Sequence, residues 1–188
     1  MHEDGQLIAQ IRRGDLRAFE ALYEKYKSQV YRAALSITND AGAAEDILQD
    51  CFLRLHANID RIDGSTPISP WLHRVTVNLA YNYVAKRKRR ANPEDSVFEA
   101  LHSTPSHSME RHVENAATRD EVQEAIDSLS LPHRVVITLF YLSEFSIEEI
   151  AYILDCPVGT VKSRLHYARN ILRRRLTREA GALAEAAA

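Results

Sequence analysis

The sequence predicts an all-α protein: two small helical domains, an N-terminal helical bundle and a C-terminal helix-turn-helix domain, joined by a flexible linker. Three observations predict it. Apolar residues recur three and four apart through almost the whole chain, and no stretch alternates strictly enough to be a strand. Between Ala91 and about His112 the spacing dissolves into Asn-Pro, Ser-Thr-Pro-Ser-His-Ser and scattered acids, which is linker composition. After the break, a capped short helix, a turn and a longer basic helix follow one another in register.

Taken in order, Phe19, Leu22, Tyr23, Tyr26, Val30 and Ala34 form one helical stripe, and Ile47, Leu48, Cys51, Phe52 and Leu55 a second. Asn39 to Gly42 punctuates these two helices, and Asp63 with Gly64 ends the second. Ser69 is a good N-cap and Pro70 suits the first helical position of a third helix, whose apolar face runs Leu72, Val75, Leu79, Tyr83. Beyond the linker, Val113, Val122, Ile126 and Leu129 mark one helix. Pro132 opens another with Val135, Val136, Leu139 and Phe140, and two more follow. The alanine-rich tail after Gly181 is expected to fray. The resulting domain boundaries are 1–91, a linker at 92–112, 113–180, and a disordered tail at 181–188.

Composition narrows the function. With 45% hydrophobic and 27% charged residues the chain is neither collagen-like nor wholly disordered. No apolar run approaches the roughly 20 residues that cross a bilayer, and the start Met-His-Glu-Asp-Gly is unlike a signal peptide. A cytoplasmic protein without stable membrane insertion is expected. Cys51 and Cys156 stand far apart inside apolar helical patterns and read as small buried hydrophobes. His102, His107 and His112 lack zinc-site spacing and read as solvated linker histidines. No metal and no cofactor is expected.

The net charge of −2 conceals a segregated distribution. Lys86 to Arg90 is an unbroken basic run, and Cys156 to Arg178 holds seven basic residues and no acid. Between Ala91 and Asp155, only Arg111, Arg119 and Arg134 stand against thirteen carboxylates. Two separate cationic patches point to two separate contacts with phosphate.

The strongest local signal is FSIEEIAYILDCPVGTVKSRLHYARNIL, from Phe145 to Leu172. Ser146 and Glu149 have the spacing of a capping box; Ile150, Ala151 and Leu154 face inward; Pro157 and Gly159 break the chain. Thr160 then leads into a helix with the apolar line Val161, Leu165, Ala168, Leu172. At about 100° per residue, Lys162, Ser163, His166, Tyr167 and Asn170 lie beside or opposite that line, with Arg169 and Arg173 flanking. Such a face suits the major groove, so Thr160, Lys162, Ser163, Arg164, His166, Tyr167, Arg169 and Arg173 are the candidate duplex-binding residues. A merely solvated basic surface is the bland alternative; the coincidence of capping box, turn and acid-free helix weighs against it.

The third helix carries a second polar ridge, Arg74, Asn78, Asn82 and Lys86, each four apart, and ends in KRKRR, which contains Arg87. Amides can hydrogen-bond base edges and the cations can follow a backbone, while Tyr81 offers a ring for an unpaired base. Trp71 and Tyr83 read as core packing and Tyr81 as exposed.

From about Gly14 to Leu176 the chain resembles the extracytoplasmic-function subfamily of bacterial sigma factors. AEDILQDCFLRLH, from Ala44 to His56, is similar to the family's segment that binds the clamp helices of the polymerase largest subunit. WLHRVTVNLAYNYVAKRKRR is similar to its promoter-melting and −10 reading helix, and LPHRVVITLFYLSEFSIEEIAYILDCPVGTVKSRLHYARNIL to its −35 reading domain. The resemblance implies that Asp46, Gln49 and Asp50 contact core RNA polymerase. It implies that Asn78 and Asn82, with the Asp63 to Ser69 loop, hold a base flipped from the melted non-template −10 strand. It further implies that the second domain reads duplex −35 DNA beside the polymerase flap, and that an anti-sigma factor controls the chain. The family commonly has aspartate where Asn82 stands and glycine where Asp155 stands. A free-standing helix-turn-helix regulator is the alternative; it would bind duplex tightly by itself. An enzyme is not expected, since no nucleophile constellation, paired carboxylates or Gly-rich phosphate loop occurs.

Overall fold

The structure, a computed structural model, describes residues 3–91 and 116–186. Every regular element among the described residues is helical. The linker expected at 92–112, with His102, His107, His112 and Val113, lies outside them.

The first domain consists of α1 (Glu3–Ile11), α2 (Leu16–Thr38), α3 (Ala41–Asn58) and α4 (Ser69–Ala91). Asp15 caps α2 by accepting from the amides of Arg17 and Ala18, and Asp40 caps α3 by accepting from Ala43. Asn39 ends α2 in the left-handed region at φ 51°, so the chain reverses into α3 within two residues. Ile8, Leu22, Val30, Ile37, Cys51, Leu55 and Leu72 are fully buried together, and Phe19 and Tyr23 meet Phe52 edge-on at 6.2 and 4.8 Å. Cys51 is buried as expected, and burial pushes its thiol up to about 11.

Helix α1 was not foreseen. Its apolar residues Leu7, Ile8 and Ile11 are few and its Gly5 is a poor helix former, so packing on α2 rather than propensity makes it helical. The core face of α4 is also wider than the Leu72, Val75, Leu79, Tyr83 line. His73, Thr76, Val77 and Ala80 are buried, while Val75 is only half-buried. Thr76 satisfies its hydroxyl on Leu72 O at 2.8 Å, which is how a polar residue tolerates that position.

The second domain comprises α5 (Ala116–Asp127), α6 (Leu131–Ile137) running into a π-helical turn (Thr138–Leu142), α7 (Ile147–Leu154) and α8 (Val158–Ala186). Leu129, Val135, Val136, Leu139, Ile150, Ile153, Val161, Leu165 and Ala168 make its core. Ile153 thus faces inward beside Ile150, whereas Ala151 and Leu154 are half-buried, and Val122 is exposed although it was read on the apolar line. Helix α8 continues through Gly181 to Ala186, where the sequence suggested a disordered tail. Alanine has the highest helix propensity, and a long preceding helix supplies the nucleus.

The two domains lie against each other. The Ser36 and Thr138 hydroxyls are 2.8 Å apart, Asn39 Nδ2 donates to Asp127 at 2.8 Å, and Arg134 Nη1 donates to Ile37 O at 3.2 Å. The ring of His73 on α4 meets that of Phe145, which immediately precedes α7, edge-on at 4.6 Å.

Candidate nucleic-acid interface

The capping box of α7 forms as the sequence required, but the break falls earlier than expected: Gly159 lies inside α8, and the chain turns over Asp155 to Pro157. Ser146 Oγ accepts from the Glu149 amide at 3.2 Å, and Glu149 Oε2 accepts from the Ser146 amide at 2.8 Å, closing a reciprocal capping box. Asp155 ends α7 at φ 51°, and the amide of Cys156 donates to Ala151 O at 3.1 Å. Aspartate is one of the few side chains that occupies this left-handed position without glycine's freedom. We expect Asp155→Gly to raise stability by about 0.5–1 kcal/mol and Asp155→Ala not to, measured by urea unfolding. Loss of stability in the glycine variant would show that the Asp155 side chain, not the backbone, governs the turn.

Helix α8 then presents Lys162, Ser163, His166, Tyr167, Arg169 and Arg173 to the outside, all exposed. Three of these are ordered by local bonds. Ser163 Oγ donates to Thr160 O at 3.0 Å, Asn170 Nδ2 lies 2.9 Å from His166 Nε2, and Arg169 Nε donates to Tyr141 Oη at 2.8 Å. Arg169 also lies over the rings of Phe140 and Tyr141 at 5.0 and 5.5 Å. The π turn that widens the end of α6 is what sets these two aromatic residues beside the cation. Thr160 and Arg164 are half-buried, and the Arg164 charge lies near both Tyr81 of the first domain and His133 of the second.

The polar ridge of α4 is present but unevenly accessible. Asn78, Asn82, Lys86 and Arg87 are exposed, whereas Arg74 is half-buried against α7. Its guanidinium reaches Asp155 Oδ2 at 3.3 Å, donates to Tyr152 O at 3.3 Å, and lies 5.4 Å from the Tyr152 ring centroid. A spacing of four advances about 40° per step, so the ridge winds from the covered side at Arg74 to the open side at Lys86. Tyr81, expected exposed, is half-buried on the covered side, and burial pushes its phenol up. Packing by the second domain, which the sequence of α4 does not reveal, is the reason. Tyr83 is half-buried as core packing required, donating to Asp40 Oδ2 at 2.7 Å; Arg87 approaches the same carboxylate at 3.9 Å. Trp71 is half-buried against the core.

His73 lies between the domains, 1% exposed. Its Nδ1 sits 2.9 Å from Ser69 O and therefore carries the proton, leaving Nε2 without a partner among the described residues. Burial holds its pKa below the ordinary 6.5. A depressed histidine contributes fully above about pH 6.5, and that contribution is lost as the pH falls through the folded-state pKa. Acidification is therefore expected to part the domains in the native chain and to do so less in His73→Gln, read by fluorescence energy transfer between labels on α4 and α8. Identical pH profiles in both proteins would assign the effect to other groups.

On α3, Asp46, Gln49 and Asp50 are exposed together on one face. Leu53 completes this face, 67% exposed, and sequence reasoning passed over it. The available signal was its phase: it falls off the stripe of Ile47, Leu48, Cys51, Phe52 and Leu55. Tyr152, 54% exposed beside Arg74, was missed for want of any contact information. Cys156 is half-buried. Among the described residues no group of three His, Cys, Asp or Glu side chains is placed to hold a metal ion, and no helix is long and apolar enough to cross a membrane.

Comparison with known proteins bears on both faces. Residues 22–90 match the Sigma-70 region 2 family and residues 119–172 the Sigma-70 region 4 family. The extracytoplasmic-function RNA polymerase sigma factor SigW of Bacillus subtilis (strain 168) is 34% identical over 180 residues, covering 90% of this chain and 94% of that protein. The extracytoplasmic-function RNA polymerase sigma-E factor of Escherichia coli (strain K12) is 32% identical over 176 residues, covering 90% and 92%. Among solved structures, the sigma factor RpoE in complex with the anti-sigma factor NepR from Bartonella quintana superposes with a TM-score of 0.67 at 28% identity, covering 85% of this chain and 96% of that one. CnrH in complex with the cytosolic domain of CnrY gives 0.69 at 24% identity, covering 93% and 97%, a likeness of fold.

Proposed function

The chain belongs to the extracytoplasmic-function sigma factors, and from that premise we propose how its residues divide the work of promoter recognition. The exposed face of α3, with Asp46, Gln49, Asp50 and Leu53, docks on the clamp helices of the core polymerase largest subunit. Helix α4, through Asn78, Asn82, Lys86 and Arg87 and with the loop before it, engages melted non-template −10 DNA, Arg74 and Tyr81 joining when the second domain moves away. Helix α8 enters the −35 major groove with Lys162, Ser163, His166 and Tyr167, while Arg169 and Arg173 hold phosphates, and Thr160 and Arg164 support its start. The domain limits follow: 1–91 for polymerase and −10, and 113–180 for −35 and the polymerase flap. The protein works in the cytoplasm as an initiation factor and not as an enzyme.

The observation that carries this reading is one chain with two separate DNA-competent helices, of which one is partly covered by the other domain. Arg74 cannot follow a DNA backbone while Asp155 and Tyr152 occupy it. Relatives of this fold have been solved with anti-sigma factors bound, and an anti-sigma factor that held the domains in this arrangement would keep Arg74 and Tyr81 from DNA. The test compares promoter-duplex affinity of the chain alone with that of the chain on core polymerase. A single recognition helix makes few contacts, so weak binding alone and tight binding with core is expected. Tight sequence-specific binding by the isolated chain would instead describe a free-standing regulator.

A further inference from the structure

The loop between α3 and α4 is held at both ends by the segment of α1, and the most deeply buried carboxylate among the described residues does part of the holding. Asp4 is 3% exposed. Its Oδ2 accepts from the backbone amide of Ile68 at 3.1 Å and from Tyr26 Oη at 2.7 Å, and its Oδ1 from Lys25 Nζ at 2.8 Å. Burial alone would raise this carboxyl; the donors from Lys25, Tyr26 and Ile68 outweigh it and hold it below the usual range. At the other end of the loop, Arg12 donates from Nε to Ile59 O at 3.0 Å and from Nη2 to Ile62 O. Between these ties the backbones touch: a Cβ placed on Gly64 would stand 3.4 Å from Gly5 Cα.

What the ties enclose is a short exposed tip. Asp63, Ser65, Thr66 and Pro67 are exposed, and Asp63 folds back on Ser65, accepting from its amide at 2.9 Å and its hydroxyl at 2.6 Å. An internally bonded tip, tied to a separate helix at its two ends, has its position set by that helix rather than by α3 or α4. A core that needed only to anchor α1 had Ile8 and Ile11 for the purpose; three bonds from charged side chains to loop backbone atoms do something more specific. Buried charge is costly unless every lone pair is matched, and here the matching partners are the loop and α2.

We propose that α1 is a positioning element for −10 base selection, with Asp4 and Arg12 as positioning residues that fix loop 59–68 so that its tip meets the extruded base in one geometry. This rests on the reading that the loop borders the −10 base. With the ties intact the tip discriminates among bases; with them loosened it still contacts DNA but accepts more than one base. Preorganised donors lose selectivity when their supports move, because a wrong base is then accommodated instead of leaving polar groups unpaired.

The test uses the full chain on core polymerase and four promoters that differ only in the base at the extruded −10 position. Asp4→Asn retains shape but sets an amide against three donors, and Arg12→Ala removes the other tie at an exposed position. Both variants are expected to compete for core polymerase as the native chain does, and to reduce the ratio of initiation on the preferred base over the others by about tenfold. Thr66→Ala at the tip serves as the reference. If Thr66→Ala alters base preference while Asp4→Asn and Arg12→Ala lower initiation equally on all four promoters, the ties are merely structural and the proposal is wrong. If Thr66→Ala and Ser65→Ala also leave preference unchanged, the loop does not border the base, and the underlying reading falls with the proposal.

Discussion

Asn78→Ala on core polymerase is expected to reduce open-complex formation on a duplex promoter by about tenfold or more, with little change in initial docking. Asn78 is exposed on α4, one turn from Asn82 and two from Lys86, on the part of the ridge that the second domain leaves open. An amide there has both donor and acceptor for a base edge, and nothing in the core depends on it. Under the proposed division of labour, docking would draw on α3, α8 and the cations that follow duplex backbone, none of which the substitution touches. Capture of an unpaired base comes later and is what holds the strands apart. Rapid-mixing kinetics with a fluorescent base in the −10 element separates the two steps. An equal loss in docking and opening would place Asn78 on the duplex-binding surface instead.

Lys162→Ala and Arg169→Ala are each expected to weaken binding to the −35 element by about 1–3 kcal/mol, and to flatten the salt dependence of binding by about one unit where a phosphate contact is lost. Lys162 lies in the second turn of α8, near the end at which helix-turn-helix proteins approach bases. Arg169 is held differently: its bond to Tyr141 and its place over Phe140 fix the guanidinium before DNA arrives. Removing Tyr141's hydroxyl, as Tyr141→Phe, should therefore reproduce a fraction of the Arg169→Ala effect without removing the charge. Fluorescence anisotropy of holoenzyme on −35 duplex over a range of salt measures both quantities. Native affinity in both the Lys162 and Arg169 variants would mean that another face of α8 meets DNA.

Much of this was legible beforehand because local rules and tertiary packing agree. The capping box at Ser146 and Glu149, the break before α8 at Pro157, and the line Val161, Leu165, Ala168 each fix a local conformation, and together they fix a motif. The stripes of α2 and α3 were equally readable, since each helix buries one face only. What escaped had no local signature. Helix α1 carries too few apolar residues to register as a stripe, and its role lies in polar bonds to residues more than forty positions away. His73 and Tyr81 look like solvent-facing residues and are covered because a second domain lies against α4, while Thr76 is buried against Cys51 of α3. Leu53 reads as one more core leucine until its phase is compared with its neighbours.

Among the site residues, Asn78, Asn82, Lys86 and Arg87 fall on an open surface of α4, and Lys162, Ser163, His166, Tyr167, Arg169 and Arg173 on an open surface of α8. Arg74, Tyr81, Thr160 and Arg164 do not. Periodicity assigns a residue to a side of its helix, but which sides a neighbouring domain covers depends on contacts made across the 92–115 segment. The charge pattern explains part of that arrangement: Arg74 and Arg134 from opposite domains each find acceptors on the other, Asp155 and Tyr152 for one, Ile37 for the other. Of these contacts only Arg74–Asp155 pairs two charges, and with Asp155 largely exposed it contributes little stability by itself.

The central claim is that one chain supplies core docking, −10 reading and −35 reading. Transcription from a library of promoter fragments by sigma-free core polymerase, with and without the purified chain, tests it most directly. The account predicts initiation only when the chain is added, at fragments sharing two short elements at a fixed spacing, with Asn78→Ala and Lys162→Ala each impairing use of a different element. No initiation on any fragment, with core binding intact, would contradict it.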